Sequence, residues 1–333
     1  MTTVNTVRGA LDTAELGTTL MHEHLFLFTP EVKWDFPESS WRGTREHRVE
    51  QALVALRAAK DAGVETFLDL TVLGLGRSIE DIQHVASRID VNIIVSTGYY
   101  TYDALPSFFT NRPPGRSPKH KYADIMTELF VRDITEGIGN SGVRAAMLKC
   151  CTEEPGVTPN IERVFTAVSI AHRETGVPIT THSNANSKNG LDQQRLLTNL
   201  GVDLQRVTIG HSGDTTDLDY LQRLMDAGSY IGMDRFGGVR PGAATDEARI
   251  DTVAALCERG YANRMLLSHD AICHVDMRDD WYEEREIVDR AAIFSVVSSS
   301  VIPGLRKRGV SSRDIDQMMV ENPRAIFEDV SVY

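Results

Sequence analysis

Eight short apolar runs, rich in β-branched residues and separated by stretches of helical periodicity, constrain this chain more than any other feature. They occupy residues 17–21, 64–70, 91–96, 143–148, 177–181, 207–210, 230–233 and 265–268. Short continuous apolar runs of this kind are expected of parallel strands buried on both faces. The stretches between them are amphipathic. Thr44 can cap a helix in which Val49, Leu53 and Leu56 share one face, closing at Gly63. Asn160 opens another, with Ile161, Val164, Phe165 and Val168 as its stripe and Gly176 as its stop. A third runs through Leu218, Leu221 and Met225 and ends near Gly228.

A length of 333 residues would by itself suggest about two domains. No linker rich in Pro, Gly or Ser and no internal repeat divides the chain, so one domain over residues 1–333 is expected. Strand–helix units in an undivided chain favour an α/β fold of the closed (β/α)8 TIM-barrel type. An open doubly wound sheet is the alternative. It would have a glycine-rich phosphate turn after the first strand, and Gly17-Thr18-Thr19 is not one. Gly74-Leu75-Gly76 lacks the remaining glycine of a dinucleotide fingerprint.

Charge excludes some partners. With 35 Lys+Arg against 47 Asp+Glu, the net charge is −12, which repels phosphate backbones and anionic bilayers, so neither nucleic acid nor membrane is expected as a partner. No run approaches the roughly 20 apolar residues of a membrane helix, and no basic segment leads into an apolar one at the N-terminus. A cytoplasmic location is expected. Cys150 and Cys151 are adjacent, and Cys257 and Cys273 form no C-x-x-C pattern, so the four are read as reduced and mostly buried.

The chemistry is carried by where polar residues interrupt the apolar pattern. The first strand ends in His22-Glu23-His24. Residues two apart on a strand point the same way, so both imidazoles would enter the barrel while Glu23 turns away. The fifth strand ends at His182, the sixth at His211 and the eighth at Asp270. All five lie at carboxyl ends of expected strands, the face on which barrel enzymes place their active sites. Any single histidine is more simply a satisfied core or loop residue; His47, His84, His120 and His172, in loops or helices, are read that way, as is His274, expected in a surface loop. Four imidazoles and a carboxylate at equivalent positions suit one or two divalent ions, zinc first, with cobalt, manganese or iron as other candidates. Lys149 closes the fourth strand and would put an ammonium at the barrel mouth. It is either paired, with Glu153 and Glu154 nearby, or its neutral amine is carboxylated to a carbamate that bridges two ions.

These residues resemble the phosphotriesterase family of the amidohydrolase superfamily, and within it the phosphotriesterase-like lactonases. The resemblance runs from Gly17-Thr18-Thr19-Leu20-Met21-His22-Glu23-His24 through Thr181-His182-Ser183-Asn184-Ala185 to Asn322-Pro323, with Ile209-Gly210-His211-Ser212-Gly213-Asp214, Gly232-Met233-Asp234-Arg235 and Ser268-His269-Asp270 between. It implies a binuclear metal centre at the carboxyl face of the strands. His22, His24 and Asp270 would hold one ion, His182 and His211 the other, and carboxylated Lys149 would bridge them. It also implies that a bridging hydroxide attacks the substrate, that Tyr100 faces the substrate carbonyl oxygen and that Arg235 borders the site. Asp270 is placed to take the hydroxide's proton and hand it on through His269. Two dications bring about four positive charges, and carbamate, carboxylate and hydroxide remove about three, leaving a residue that acidifies water.

The segment from Ala271 to about Arg290, carrying Trp281 and Tyr282, is expected to fold over the site, with 236–249 a second mobile candidate. This chain departs from the lactonase pattern there. It has Arg290-Ala291 where an Arg-Trp pair is usual and Met277 where another tryptophan is common, so a wider or reshaped pocket is expected. The leading expectation is a metal-dependent lactonase acting on N-acyl-homoserine or related lactones, with weak activity on organophosphate triesters. A primary phosphotriesterase or other carboxylic ester hydrolase is the alternative, and a non-catalytic metal-binding barrel the remote one. The resemblance also implies a homodimer.

Overall fold

The structure, a computed structural model, describes residues 2–116, 121–238, 242–277, 290–328 and 331–333. An N-terminal antiparallel hairpin, β1 (Thr3–Thr6) and β2 (Gly9–Asp12), precedes a parallel sheet. That sheet begins with β3 (Thr19–Leu27), β4 (Thr66–Asp69), β5 (Asn92–Gly98) and β6 (Met147–Cys151). It continues with β7 (Ile179–His182), β8 (Val207–Ile209), β9 (Tyr230–Met233), β10 (Met265–Leu267) and β11 (Ile272–Val275). Each strand pairs with its sequence neighbour from β3 to β10, while β11 pairs with β3.

The eighth barrel strand is therefore broken in two. Its first half, β10, pairs with β9, and its second half, β11, pairs with β3. Across the gap, Asp270 N–H donates to His22 O at 3.0 Å and His24 N–H to Ala271 O at 2.9 Å, which closes the sheet into a (β/α)8 barrel. An open doubly wound sheet is thereby set aside. The helix after β3 spans Arg45–Asp61, with Thr44 Oγ1 accepting from His47 N–H as its cap. The helix after β6 starts at Pro159 behind a Thr158 cap rather than at Asn160, and stops at left-handed Gly176.

Strand ends differ from the sequence expectation in three places. β3 continues to Leu27 and β6 to Cys151, so His22, His24 and Lys149 lie within strands rather than beyond them. Polar side chains there mark the height at which the barrel interior becomes a binding surface, not the end of pairing. Residues 272–275, expected in a loop, form β11, and His274 is buried on it with Nε2 donating to Ser40 O at 2.8 Å. Its ring stacks on Trp41 at 5.5 Å, so the surface-loop expectation for His274 is corrected: a strand of only four residues was too short to read.

Apolar residues fill two regions. Between sheet and helices lies the larger cluster, with Phe26, Phe67, Phe130 and Phe165 fully buried. Inside the barrel, Met21, Leu68, Ile94, Met147 and Leu266 pack towards the lower end, which Val4, Leu16, Ile326 and Phe327 cover. Each such buried side chain contributes roughly 1.5–3 kcal/mol against its exposed state. Four thiols, Cys150, Cys151, Cys257 and Cys273, are free, the first two buried. Trp281, Tyr282 and His120 lie outside the described residues, as does part of the 236–249 segment. Among the described residues no helix is long and apolar enough to cross a membrane.

Candidate metal centre

β3 carries His22 and His24 on one side, and a register irregularity against β4 between Leu20 and Glu23 lets Met21 and His22 both line the barrel interior. Glu23 points the other way and is fully buried. Beneath the histidines sits Asp234, only 2% exposed. Its Oδ2 lies 2.7 Å from His22 Nδ1 and its Oδ1 2.9 Å from His211 Nδ1. Burial works against its ionisation, but His211 and His22 outweigh that and hold the carboxyl well below its usual range. An ionised carboxylate only accepts. Both imidazoles therefore donate Nδ1–H to Asp234 and present bare Nε2 lone pairs to the barrel axis.

The remaining donors follow the same logic. His24 Nδ1 meets Thr71 Oγ1 at 2.8 Å, and its Nε2 is 3.4 Å from Asp270 Oδ1, which is also 3.6 Å from His22 Nε2. His182 Nε2 lies 2.9 Å from Glu153 Oε1. That hydrogen bond pulls the Glu153 carboxyl down to about 2, so Nε2 is the protonated nitrogen and Nδ1 is bare. His182 Nδ1 then faces the bare His211 Nε2 at 2.9 Å. Two lone pairs at that separation, with no proton between them, are an arrangement a cation satisfies.

Burial lowers the pKa of His22, His24 and His211, and takes His182 down to about 4, so all four imidazoles are neutral at pH 7. Lys149 is 1% exposed with Nζ 2.9 Å from His22 Nε2, and burial pushes its pKa down towards the neutral amine. The donor set therefore fits two divalent ions: borderline nitrogen donors, one carboxylate, and a buried amine beside His22 in the same cavity.

Backbone geometry aims these side chains. His211, two residues beyond β8, and Asp270, in the gap between β10 and β11, adopt φ of 58° and 49°, the left-handed region that non-glycine residues seldom occupy. Gly232 makes room beneath: a Cβ there would lie 2.3 Å from Asp234 Oδ2.

Above the donors opens a cavity of about 1010 Å³, its open mouth included, lined by Tyr100, Tyr102, Arg235, Leu75, Ile272 and Met277 among others. Tyr100 lies edge-on to His182 at 5.3 Å between ring centres, and its hydroxyl meets Tyr102 Oη at 2.9 Å. Arg235 Nε donates to Asp270 Oδ2 at 3.1 Å and Nη1 pairs with Asp214. Burial disfavours its charge, but Asp270 and Asp214 more than restore it. Arg290-Ala291 begins a short helical turn, Arg290–Ala292.

His269 does something other than relay a proton. Its Nδ1 donates to Glu23 Oε1 at 2.6 Å, and its Nε2 accepts from Val297 N–H at 2.9 Å. Both nitrogens are committed on the outer side of the barrel, so the ring ties the eighth strand to β3 and to the segment at Val297. Neither nitrogen is bonded to Asp270, which argues against the expected handover. Two residues at the site were not singled out from the sequence: Asp234, which follows its strand directly, a usable signal, and Tyr102, on a loop, which gave none. Glu153, considered from the sequence as a partner of Lys149, lies on His182.

The phosphotriesterase family model matches residues 2–327. A phosphotriesterase homology protein of Mycobacterium tuberculosis is 47% identical over 331 residues, covering 98% of each chain. The chain belongs to the phosphotriesterase family. It is accordingly a metal-dependent hydrolase. An aryldialkylphosphatase of Saccharolobus solfataricus is 35% identical over 320 residues, 96% of this chain and 98% of its own. The structure of the phosphotriesterase from Mycobacterium tuberculosis superposes with a TM-score of 0.92 at 46% identity, covering 99% of this chain and all of that one.

Proposed function

We propose that this phosphotriesterase-family chain, folded as one domain over residues 1–333, opens lactone rings and hydrolyses organophosphate triesters as a side activity. His22, His24 and Asp270 would hold one divalent ion and His182 and His211 a second, zinc in both by ligand chemistry, with Lys149 carboxylated between them. Burial lowers the pKa of Lys149 and so favours the neutral amine, the form that adds carbon dioxide and loses one proton as the carbamate forms. Bound ions would supply Lewis acidity and an acidified water.

The chain's own groups do the rest. Asp270 Oδ1 points at the His22 and His24 nitrogens and Oδ2 accepts from Arg235 Nε, which places the carboxylate to take a proton from a water held at the centre. With both His269 nitrogens engaged elsewhere, that proton is passed to the leaving oxygen or to water in the cavity. Arg235, fixed between Asp270 and Asp214, holds Asp270 in place rather than carrying protons.

The observation that carries the lactone reading is Tyr100, whose hydroxyl stands in the cavity above the donors; its proton, donated to Tyr102 Oη at 2.9 Å, would turn to a carbonyl oxygen when substrate binds. Burial raises its pKa well above the usual tyrosine value, so it stays protonated. A primary phosphotriesterase is the second reading, favoured by the similarity to a protein named aryldialkylphosphatase. Parallel rates on an acyl-homoserine lactone and a phosphotriester separate the two. The lactone rate is expected to be the higher, and Tyr100→Phe to lower it about tenfold while sparing the triester. A lactone rate at or below the triester rate sinks the first reading.

The reading includes a homodimer in the cytoplasm. Trp34, on a short helix, and Phe36, between that helix and the next, are 86% and 59% exposed, apolar area that a second copy would cover. A net charge of −12 fits a small-molecule lactone or ester as partner rather than nucleic acid or membrane.

A further inference from the structure

The imidazoles of the centre are not supported alike. His22 and His211 share Asp234, and His24 leans on Thr71, both supports deep in the barrel at 2% and 1% exposure. His182 is held instead from the rim, by a Glu153 side chain that is 21% exposed. Its Oε1 lies 2.9 Å from His182 Nε2, and its Oε2 accepts from Asn184 Nδ2 at 2.9 Å.

Asn184 is itself locked. Its backbone N–H donates to Asn189 Oδ1 at 2.8 Å, and its Oδ1 accepts the N–H groups of Asn186 and Ser187 at 3.1 and 3.2 Å. With Oδ1 taken by two donors, only Nδ2 is left to face Glu153. The loops after β6 and β7 thus meet on one carboxylate, and both of its oxygens are used.

We propose that Glu153 is a positioning residue for His182: it fixes the Nε2–H tautomer, aims Nδ1 at His211 Nε2, and strengthens Nδ1 as a donor through its charge. The inference rests on the reading that His182 and His211 hold one ion. A carboxylate behind a ligating imidazole raises the ligand's basicity and holds the ring, and losing such a support typically costs 10–100-fold in metal affinity. A glutamine could not replace it fully. Its carbonyl could still accept from His182, but its amide would then turn a donor towards the Asn184 Nδ2 donor.

The test uses the full chain stripped of metal and titrated with zinc against a chromophoric chelator, with histidine 15N spectra recorded alongside. Wild type is expected to take up two ions and to show His182 as the Nε2–H tautomer. Glu153→Ala is expected to lose 10–100-fold in affinity at one of the two sites only, with His182 exchanging between tautomers. Glu153→Gln should fall between, and it carries the test if the alanine variant does not fold. Two sites of unchanged affinity, or equal weakening of both with the tautomer intact, would overturn the role of Glu153 while leaving the metal centre standing. A wild-type chain that binds no zinc would overturn the proposed function and this inference together.

Discussion

The two ends of the barrel solve opposite problems. At the lower end, Val4, Leu16, Ile326 and Phe327 close over Leu68, Leu70 and Ile94 in an apolar cluster. At the upper end, His22, His24, Lys149, His182, His211, Asp234 and Asp270 crowd together at 8% exposure or less. Burying such groups costs free energy that pairing only partly offsets. The lower end is where the fold gains stability, and the upper end is where it gives some up for chemistry.

The largest expected effect breaks the upper end alone. Lys149→Ala should abolish tight binding of both ions and lower activity by on the order of 10³-fold or more, with partial rescue by a small carboxylic acid. Removing a buried amine should leave the melting temperature unchanged or higher. Full metal content in this variant would show that the amine plays no bridging part. Next in size is Phe327→Ala, which should cost about 3–5 kcal/mol in urea unfolding yet leave zinc affinity within twofold of wild type. A weakened zinc site there would mean that the two ends are not independent.

The smallest effect lies outside both ends. Asp81 is buried, which opposes its charge, but Lys33, Ser78 and Arg45 outweigh that and lower its pKa. A folded-state pKa below the unfolded value, about 3.9, adds stability above that pH and loses it as pH falls through the folded pKa. Asp81→Asn should therefore be less stable than wild type by about 1 kcal/mol at pH 7, with the gap closing below about pH 4. A gap that stays constant down to pH 3 would rule out the ion pair as its cause.

Much of this architecture was legible in the sequence, for a physical reason. Parallel strands are buried on both faces and stand out as apolar runs, and a polar residue that interrupts one must have a use. His182, His211 and Asp270 were found that way. Strand lengths were harder, because β3 and β6 carry polar residues within the paired region and the pattern ends before the hydrogen bonds do. β11 was missed because four residues show too little periodicity. The supports were harder still. Whether Glu153 reaches His182 depends on two loops meeting, and His269 differs from a relay only in which way its ring turns.

The broken eighth strand has a consequence for how this enzyme would fail. The hydrogen bonds that close the barrel at Asp270 and Ala271 are made to the backbones of His22 and His24, the residues whose side chains face the cavity. Seam and site are one piece of structure. Any fluctuation that unzips the barrel at its join also disarms the donor set, so no half-open molecule should retain a working centre. The slow exchange of the Asp270 and His24 amide hydrogens with solvent would then report two things at once, the closure of the barrel and the readiness of its chemistry.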